Sequence, residues 1–274
     1  MTNQVRAEER DLVHRGLGRV EFYDLTPTSL EGLGNTLEDM AGEGRPLFSF
    51  HAPVVRPPYY PFAPTFQFFV SEDGERCELN FDALGDTLDR AREWGADYVV
   101  IHLTFGGGDT KDAVVAERLA HDACDRIAGL SRNAGIPVDI EFAAYTDSFN
   151  RPQQFTEAIT PHAELGLCLD IGHAFIGALL RGRDYWDDLA VLAGQARSLH
   201  LWNTKGPDHF EEDPHTPLHP SQRSGEGWID VERTLETILD ARPVDNVIFE
   251  YPVQTVSRRI EEGYDWVADI LALA

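Results

Sequence analysis

Six short apolar segments of the sequence each end at a residue type that binds metal ions. The segments are LFSFH, YVVIH, PVDIE, LGLCLD, SLH and NVIFE, and their last residues are His51, His102, Glu141, Asp170, His200 and Glu250. Apolar runs of this length between helix-like segments are typical of buried parallel strands. In a parallel α/β barrel the carboxyl ends of the strands converge on one mouth, where catalytic residues lie. The series therefore predicts a metal site with more than one ion at such a mouth.

The residue types suit divalent transition metals. Imidazole and carboxylate groups are the usual nitrogen and oxygen ligands of these ions, and a carboxylate can bridge two of them. Four residues on successive predicted strands are enough for one ion: Glu141, Asp170, His200 and Glu250. His51 and His102 on the two preceding strands add nitrogen ligands beside them, where Glu141 is placed to bridge.

The elements that must position these residues alternate between strand and helix patterns along the whole chain. This alternation predicts an α/β fold with a parallel sheet, namely a (β/α)8 TIM barrel. We recognise seven strands, beginning with RVEFYDL after an amphipathic stretch near 5–16. The missing first strand leaves two alternatives: the barrel is incomplete, or an eighth strand is hidden, with MTNQV a short candidate. One domain is predicted over 1–274, with long loops at 52–77 and 203–229.

The composition narrows the class of protein. With 274 residues and 42% hydrophobic residues the chain can bury one large core, and no apolar run is long enough to cross a bilayer. The charged N-terminus lacks the apolar centre of a signal peptide, so we predict a cytoplasmic protein. The three cysteines lack the CxxC spacing of a zinc site, and Cys168 is predicted to be a small buried side chain.

The formal net charge is −24, and Lys111 and Lys205 are the only lysines. One interpretation is a function that repels nucleic acid, because binding of a phosphate backbone normally requires a basic face. The other is adaptation to high salt, where a carboxylate-rich surface stays hydrated and its repulsion is screened. The scarcity of lysine favours the second, so the charge alone leaves a nucleic-acid fragment open as a substrate.

The segment LGLCLDIGHAFIGA resembles the endonuclease IV family of apurinic/apyrimidinic endonucleases. The family pattern G-x-C-x-D-x-x-H-A-F is matched by Gly166, Cys168, Asp170, His173, Ala174 and Phe175. That family belongs to the wider group of xylose-isomerase-like TIM barrels. Further similarities are FHAP at His51, VIHLTFGGG at His102 and HLWNTK at His200, and together they span about 47 to 250.

The resemblance implies three metal positions. His51, His102 and Glu141 would hold one ion, and the four-residue set a second. His173 would hold a third ion with ligands from the long loop. The family has D-R-H before G-x-G in that loop, whereas this chain has HTPLHPSQRS before Gly225, so His219 is the first candidate and His215 the second. After Glu141 the family continues N-T-A-G, and this chain has FAAY instead.

Two hypotheses of function follow. The first is hydrolysis of a phosphoester by two or three Zn, Mn or Fe ions, with Glu141 and Glu250 as catalytic residues and Lys205 and Arg223 holding a substrate phosphate. The second is a sugar or polyol isomerase, epimerase or dehydratase with one ion, in which glutamates exchange a proton beside a carbonyl. His51 and His102 favour the first hypothesis, because a mononuclear site does not require them. The expected partner is a small phosphorylated or sugar-like substrate and not a membrane.

Overall fold

Eight parallel strands form a sheet that closes into a barrel in the order β1 to β8. The computed structural model describes residues 2–5, 17–44, 47–63, 67–104, 110–251, 253 and 255–273. The strands are β1 (Thr2–Val5), β2 (Arg19–Phe22), β3 (Leu47–His51), β4 (Val99–His102), β5 (Val138–Glu141), β6 (Leu165–Asp170), β7 (Ala196–Leu201) and β8 (Asn246–Phe249). The predicted TIM barrel is therefore confirmed.

The strand missing from the sequence prediction lies in MTNQV. β1 pairs with β2 through Gln4↔Glu21 and Val5↔Phe22, and with β8 through Thr2↔Ile248 and Asn3↔Phe249. Of the two alternatives, the hidden eighth strand is the one that the structure contains. A four-residue strand of mostly polar residues carries too little alternation to be recognised from sequence.

Helices surround the barrel on the outside. They are α1 (Pro27–Glu31), α2 (Leu33–Gly42), α3 (Gly74–Trp94), α4 (Ala113–Ala134), α5 (Pro152–Ile159), α6 (Ile171–Leu180), α7 (Tyr185–Ala193), α8 (Pro207–Glu212), α9 (Val231–Ala241) and α10 (Arg258–Leu273). Local sequence fixes several ends: the Asp112 carboxylate accepts the backbone N–H groups of Val114 and Val115 at the start of α4, and Gly135 ends it in the left-handed conformation. None of the described helices combines the length and apolar composition that a bilayer crossing requires.

The two long loops are shorter than predicted. The first ends at Asp73, because its side chain caps α3 and the helix begins at Gly74. The second, predicted over 203–229, contains α8 and a single 3-10 turn at Ser224–Glu226. The segment between Asp170 and β7 forms two helices, α6 and α7. The opening amphipathic stretch near 5–16 lies outside the described residues, apart from Val5.

The side chains that point into the barrel are largely polar. Alternate strand residues face the helices and form the apolar core, as Phe50, Ile101 and Ile140 do, whereas their neighbours face inward. The inward set includes four fully buried polar residues below the mouth: Glu21, Ser49, Asp139 and Ser198. Two carboxylates, those of Glu21 and Asp139, are therefore held inside the barrel beneath the strand ends.

Candidate metal centre

The six predicted strand-end ligands lie at one end of the barrel. His51, His102, Glu141 and Asp170 are the last residues of β3 to β6, His200 is next to last in β7, and Glu250 directly follows β8. Five of the six residues are at most 3% exposed, and the Glu250 side chain is 13% exposed. The mouth is therefore lined by candidate ligands, and the side chain of Glu250 is the most exposed of the six.

One group joins two histidines to Glu141. The Oε2 atom of Glu141 lies 3.1 Å from Nε2 of His51 and 3.7 Å from Nε2 of His102. Two ligands of one tetrahedral ion, each ~2.1 Å from it, lie ~3.4 Å apart, so these spacings fit a shared ion. Nδ1 of His51 donates to the carbonyl of Ala52 at 3.2 Å, which leaves the lone pair of Nε2 directed at the group.

A second group contains Glu141, Asp170, His200 and Glu250. One ligand atom of each residue lies within 4.8 Å of the others. Nδ1 of His200 is 2.9 Å from Oε2 of Glu250 and 3.4 Å from Oε2 of Glu141. Glu141 thus belongs to both groups, and its carboxylate lies where a bridging ligand is required.

The third group contains His173, His215 and Glu250. Nε2 of His173 lies 3.6 Å from Oε1 of Glu141, and the His173 and His215 rings are 5.5 Å apart. The hydroxyl of Tyr145 forms a short hydrogen bond with Nδ1 of His173 and orients its ring.

Of the two loop histidines, His215 rather than His219 lies with the other candidate ligands. His219, the first candidate, contacts Ser221 at 2.7 Å and Glu262 of α10 at 3.1 Å, and it joins none of the ligand groups found among the described residues. His215 takes that position because the backbone of Asn203, just past β7, pairs with Thr216 and holds the loop against the mouth. His215 has a φ of 56°, a left-handed conformation that seats its ring against Trp202.

Burial and close carboxylates shift the pKa values of several groups in the site. Burial, with the neighbouring carboxylates of Glu250 and Glu141, raises the pKa of Asp170 well above its ordinary value. Burial lowers the pKa of His102 to about 4 and that of His173 to about 3, so both imidazoles are neutral and keep a lone pair for a metal.

An orphaned oxygen tests whether a metal fits. Among the described residues, Oε1 of Glu141 is buried and receives no hydrogen bond. A buried carboxylate oxygen without a donor is costly, and a divalent cation would satisfy this atom. The donor set of imidazole nitrogen and carboxylate oxygen fits Zn, Mn or Fe.

Contacts outside the ligand groups hold Asp170 in place. Its Oδ1 accepts the backbone N–H of His173 at 2.6 Å, and its Oδ2 accepts Nε1–H of Trp202 at 2.7 Å. The indole ring lies so close to Gly172 that a Cβ atom there would overlap it. The glycine of the D-I-G-H segment is therefore needed for this packing rather than for a turn.

Three other predicted residues have distinct surroundings. Cys168 lies inside the barrel with Tyr98 and Val100, and burial raises the pKa of its thiol, which agrees with a small buried side chain. Lys205 is exposed, with Nζ 4.9 Å from the centre of the Trp228 ring, and Arg223 is exposed just before the 3-10 turn. Substrate binding by these two cations remains a prediction.

Two residues close to the ligands escaped sequence analysis. Glu21 of β2 is fully buried and lies 3.1 Å from Nε2 of His200. Gln67, in the first long loop, donates to the carbonyl of Ala52 at 2.8 Å and accepts the backbone N–H of His102 at 2.7 Å. A carboxylate inside the apolar strand RVEF was a usable signal for Glu21, whereas nothing local marks Gln67.

Comparison with known proteins agrees with the fold. Residues 49–270 match the family described as xylose isomerase-like TIM barrel. No protein of curated function matches the sequence. Among solved structures, a zinc-bound IolI protein is similar with a TM-score of 0.71 and 15% identity, covering 100% of this chain and 99% of that one.

Two further structures represent two different activities. An endonuclease IV from Thermus thermophilus gives a TM-score of 0.60 at 19% identity, with 100% of this chain and 99% of that one covered. An L-ribulose 3-epimerase gives 0.71 at 14%, with 100% and 95% covered. At identities this low, the structural similarity shows the fold alone. The family match, in contrast, covers most of the sequence. The chain belongs to the xylose isomerase-like TIM barrel family.

Proposed function

We propose that the protein is a metal-dependent hydrolase of phosphoesters that uses a di- or trinuclear centre. The observation that carries this proposal is the position of Glu141, whose Oε2 lies 3.1 Å from Nε2 of His51 and 3.4 Å from Nδ1 of His200. A mononuclear enzyme needs only the four-residue group. Two buried histidines that share its glutamate are explained by a second ion.

The ions would act as Lewis acids toward the phosphoryl oxygens, and they would lower the pKa of a water molecule to near neutral pH. Glu141, fully buried, holds the two ligand groups together. Glu250 is the partly exposed carboxylate of the set, so it is the residue that can orient the attacking water and accept its proton. His173, hydrogen-bonded to Tyr145, would hold a third ion together with His215 and Glu250.

The substrate that fits these residues is a small phosphorylated molecule or a single-stranded nucleic-acid fragment. The net charge of −24 opposes binding of long duplex DNA, which requires many cationic contacts. Lys205 and Arg223 lie on the loop that follows β7 and are the cations that we assign to a substrate phosphate. Similarity to an endonuclease IV supports the same choice.

The test replaces the two histidines that the alternative does not need. We expect His51→Ala and His102→Ala each to remove one ion per chain and to lower hydrolysis of a chromogenic phosphodiester by at least ~100-fold, because an ion supplies several kcal/mol of charge stabilisation. His121→Ala, an exposed histidine on α4, is the matched control and should retain both ions.

A second candidate is a sugar or polyol epimerase, isomerase or dehydratase. It is favoured by the completeness of the four-residue group on its own and by the similarity to epimerase structures. If the double variant of His51 and His102 still binds one ion and interconverts a ketose as fast as wild type, the second candidate replaces the first.

A further inference from the structure

A buried carboxylate lies behind the metal centre and outside the predicted ligands. Glu21 is on β2, a strand that supplies none of those ligands, and its side chain is fully inaccessible. Its Oε1 lies 3.1 Å from Nε2 of His200. Glu21 approaches that ring from the side opposite to the atoms that form the ligand group.

The two nitrogens of His200 have different surroundings. Nδ1 faces Glu250 at 2.9 Å and Glu141 at 3.4 Å, and Nε2 faces Glu21. A neutral imidazole carries one proton and one lone pair, and a metal needs the lone pair. If the proton is on Nε2, it lies on the nitrogen that is 3.1 Å from Oε1 of Glu21, and the lone pair is on Nδ1, the nitrogen nearest Glu250 and Glu141.

We propose that Glu21 is a positioning residue for the metal centre, which fixes the Nε2–H tautomer and the ring orientation of His200. Carboxylate–histidine–metal arrangements of this kind also increase the basicity of the ligand. The role does not depend on which reaction the protein catalyses, because His200 belongs to the group that both candidate functions require.

Glu21 is itself held in place. Its Oε2 accepts the hydroxyl of Ser49 at 3.0 Å, and the two residues are register partners on β2 and β3. Both carboxylate oxygens therefore have assigned partners, one toward His200 and one toward the neighbouring strand. Such a rigid acceptor is what is needed to hold a ring in one orientation.

Asp139 provides an internal comparison. It is also fully buried inside the barrel, but its carboxylate pairs with Arg197 and accepts the hydroxyl of Ser198. This pair explains Asp139 as a structural ion pair in the barrel. Glu21 lies beside a candidate ligand instead. Comparing variants of the two residues therefore distinguishes a positioning role from a general effect of losing a buried carboxylate.

The experiment measures the affinity of the full chain for Zn²⁺ by competition with a chromophoric chelator. Glu21→Leu should weaken binding about 10–100-fold, Glu21→Gln should weaken it less because an amide oxygen can still accept, and Asp139→Asn should leave affinity unchanged. Nitrogen-15 NMR of the zinc-loaded protein should detect a proton on Nε2 of His200 in wild type.

Several results overturn the proposal. They are an unchanged affinity in Glu21→Leu, an equal loss in Asp139→Asn, or a proton on Nδ1 rather than Nε2 in the wild-type zinc form. If Glu21→Leu does not fold, Glu21→Gln and the NMR assignment decide instead. No substrate enters the measurement, so its failure is distinct from failure of the proposed hydrolase activity.

Discussion

Gln67 links the two strand ends that carry His51 and His102, and its replacement by leucine should disturb the site at that side only. The side chain is 3% exposed and makes two hydrogen bonds, at 2.8 Å to the carbonyl of Ala52 and at 2.7 Å from the backbone N–H of His102. Leucine has a similar volume but can form neither bond.

The expected loss of stability in Gln67→Leu depends on which hydrogen bonds Ala52 and His102 keep. The carbonyl of Ala52 still accepts from Nδ1 of His51, so its cost is one lost bond of ~1 kcal/mol. The buried amide of His102 loses its acceptor, which costs ~1–3 kcal/mol. We therefore expect the free energy of unfolding of Gln67→Leu to fall by ~2–4 kcal/mol in the metal-free protein.

The assay combines urea unfolding of metal-free protein with elemental analysis of the zinc-loaded form. The ion bound by His51 and His102 should be lost or weakened, and the ion in the four-residue group should remain. Gln153→Leu, the same substitution at an exposed position of α5, is the matched control and should leave the unfolding energy within ~0.5 kcal/mol of wild type. An equally small change in Gln67→Leu, with both ions retained, would show that these two hydrogen bonds do not support the site.

Three further predictions can be checked separately. The melting temperature should rise between about 0.1 M and about 2 M salt, because screening reduces repulsion among the excess carboxylates; a flat or falling melting temperature would count against high-salt adaptation. Gly172→Ala should lower the free energy of unfolding by ~1–3 kcal/mol, because the added methyl group overlaps Trp202. Gly129→Ala, at a helical site with open space, is the control and should change that energy by zero to ~1 kcal/mol in the stabilising direction. Equal effects of the two substitutions in chemical denaturation would contradict the packing argument. Trp202→Phe should weaken zinc binding without removing an ion, because Asp170 loses the donor at 2.7 Å; unchanged affinity in a chelator competition would show that this bond does not position the ligand.

The sequence was most informative where a strand ends at a ligand. A long apolar run such as LGLCLD predicts both a buried strand and the position of Asp170 at its end, because burial and strand length can be predicted from the local sequence. β1 was missed because four residues that close a barrel draw their stability from pairing with β2 and β8, which local sequence does not encode.

Long-range contacts account for the remaining differences. His215 rather than His219 lies at the mouth because Asn203 pairs with Thr216. The sequence around Gly225 does not predict this pairing. Gln67 and Glu21 act on ligands that are 35 and 179 positions away in the sequence, so only the folded arrangement reveals their contacts.

We propose that Glu141 bridges two ions, and anomalous diffraction at the zinc edge from crystals of the zinc-loaded protein would locate them. We expect two peaks ~3.5–4 Å apart on either side of the Glu141 carboxylate, one in contact with His51 and His102 and the other with His200. A single peak within the group of Glu141, Asp170, His200 and Glu250, with His51 and His102 bound to no ion, would contradict it.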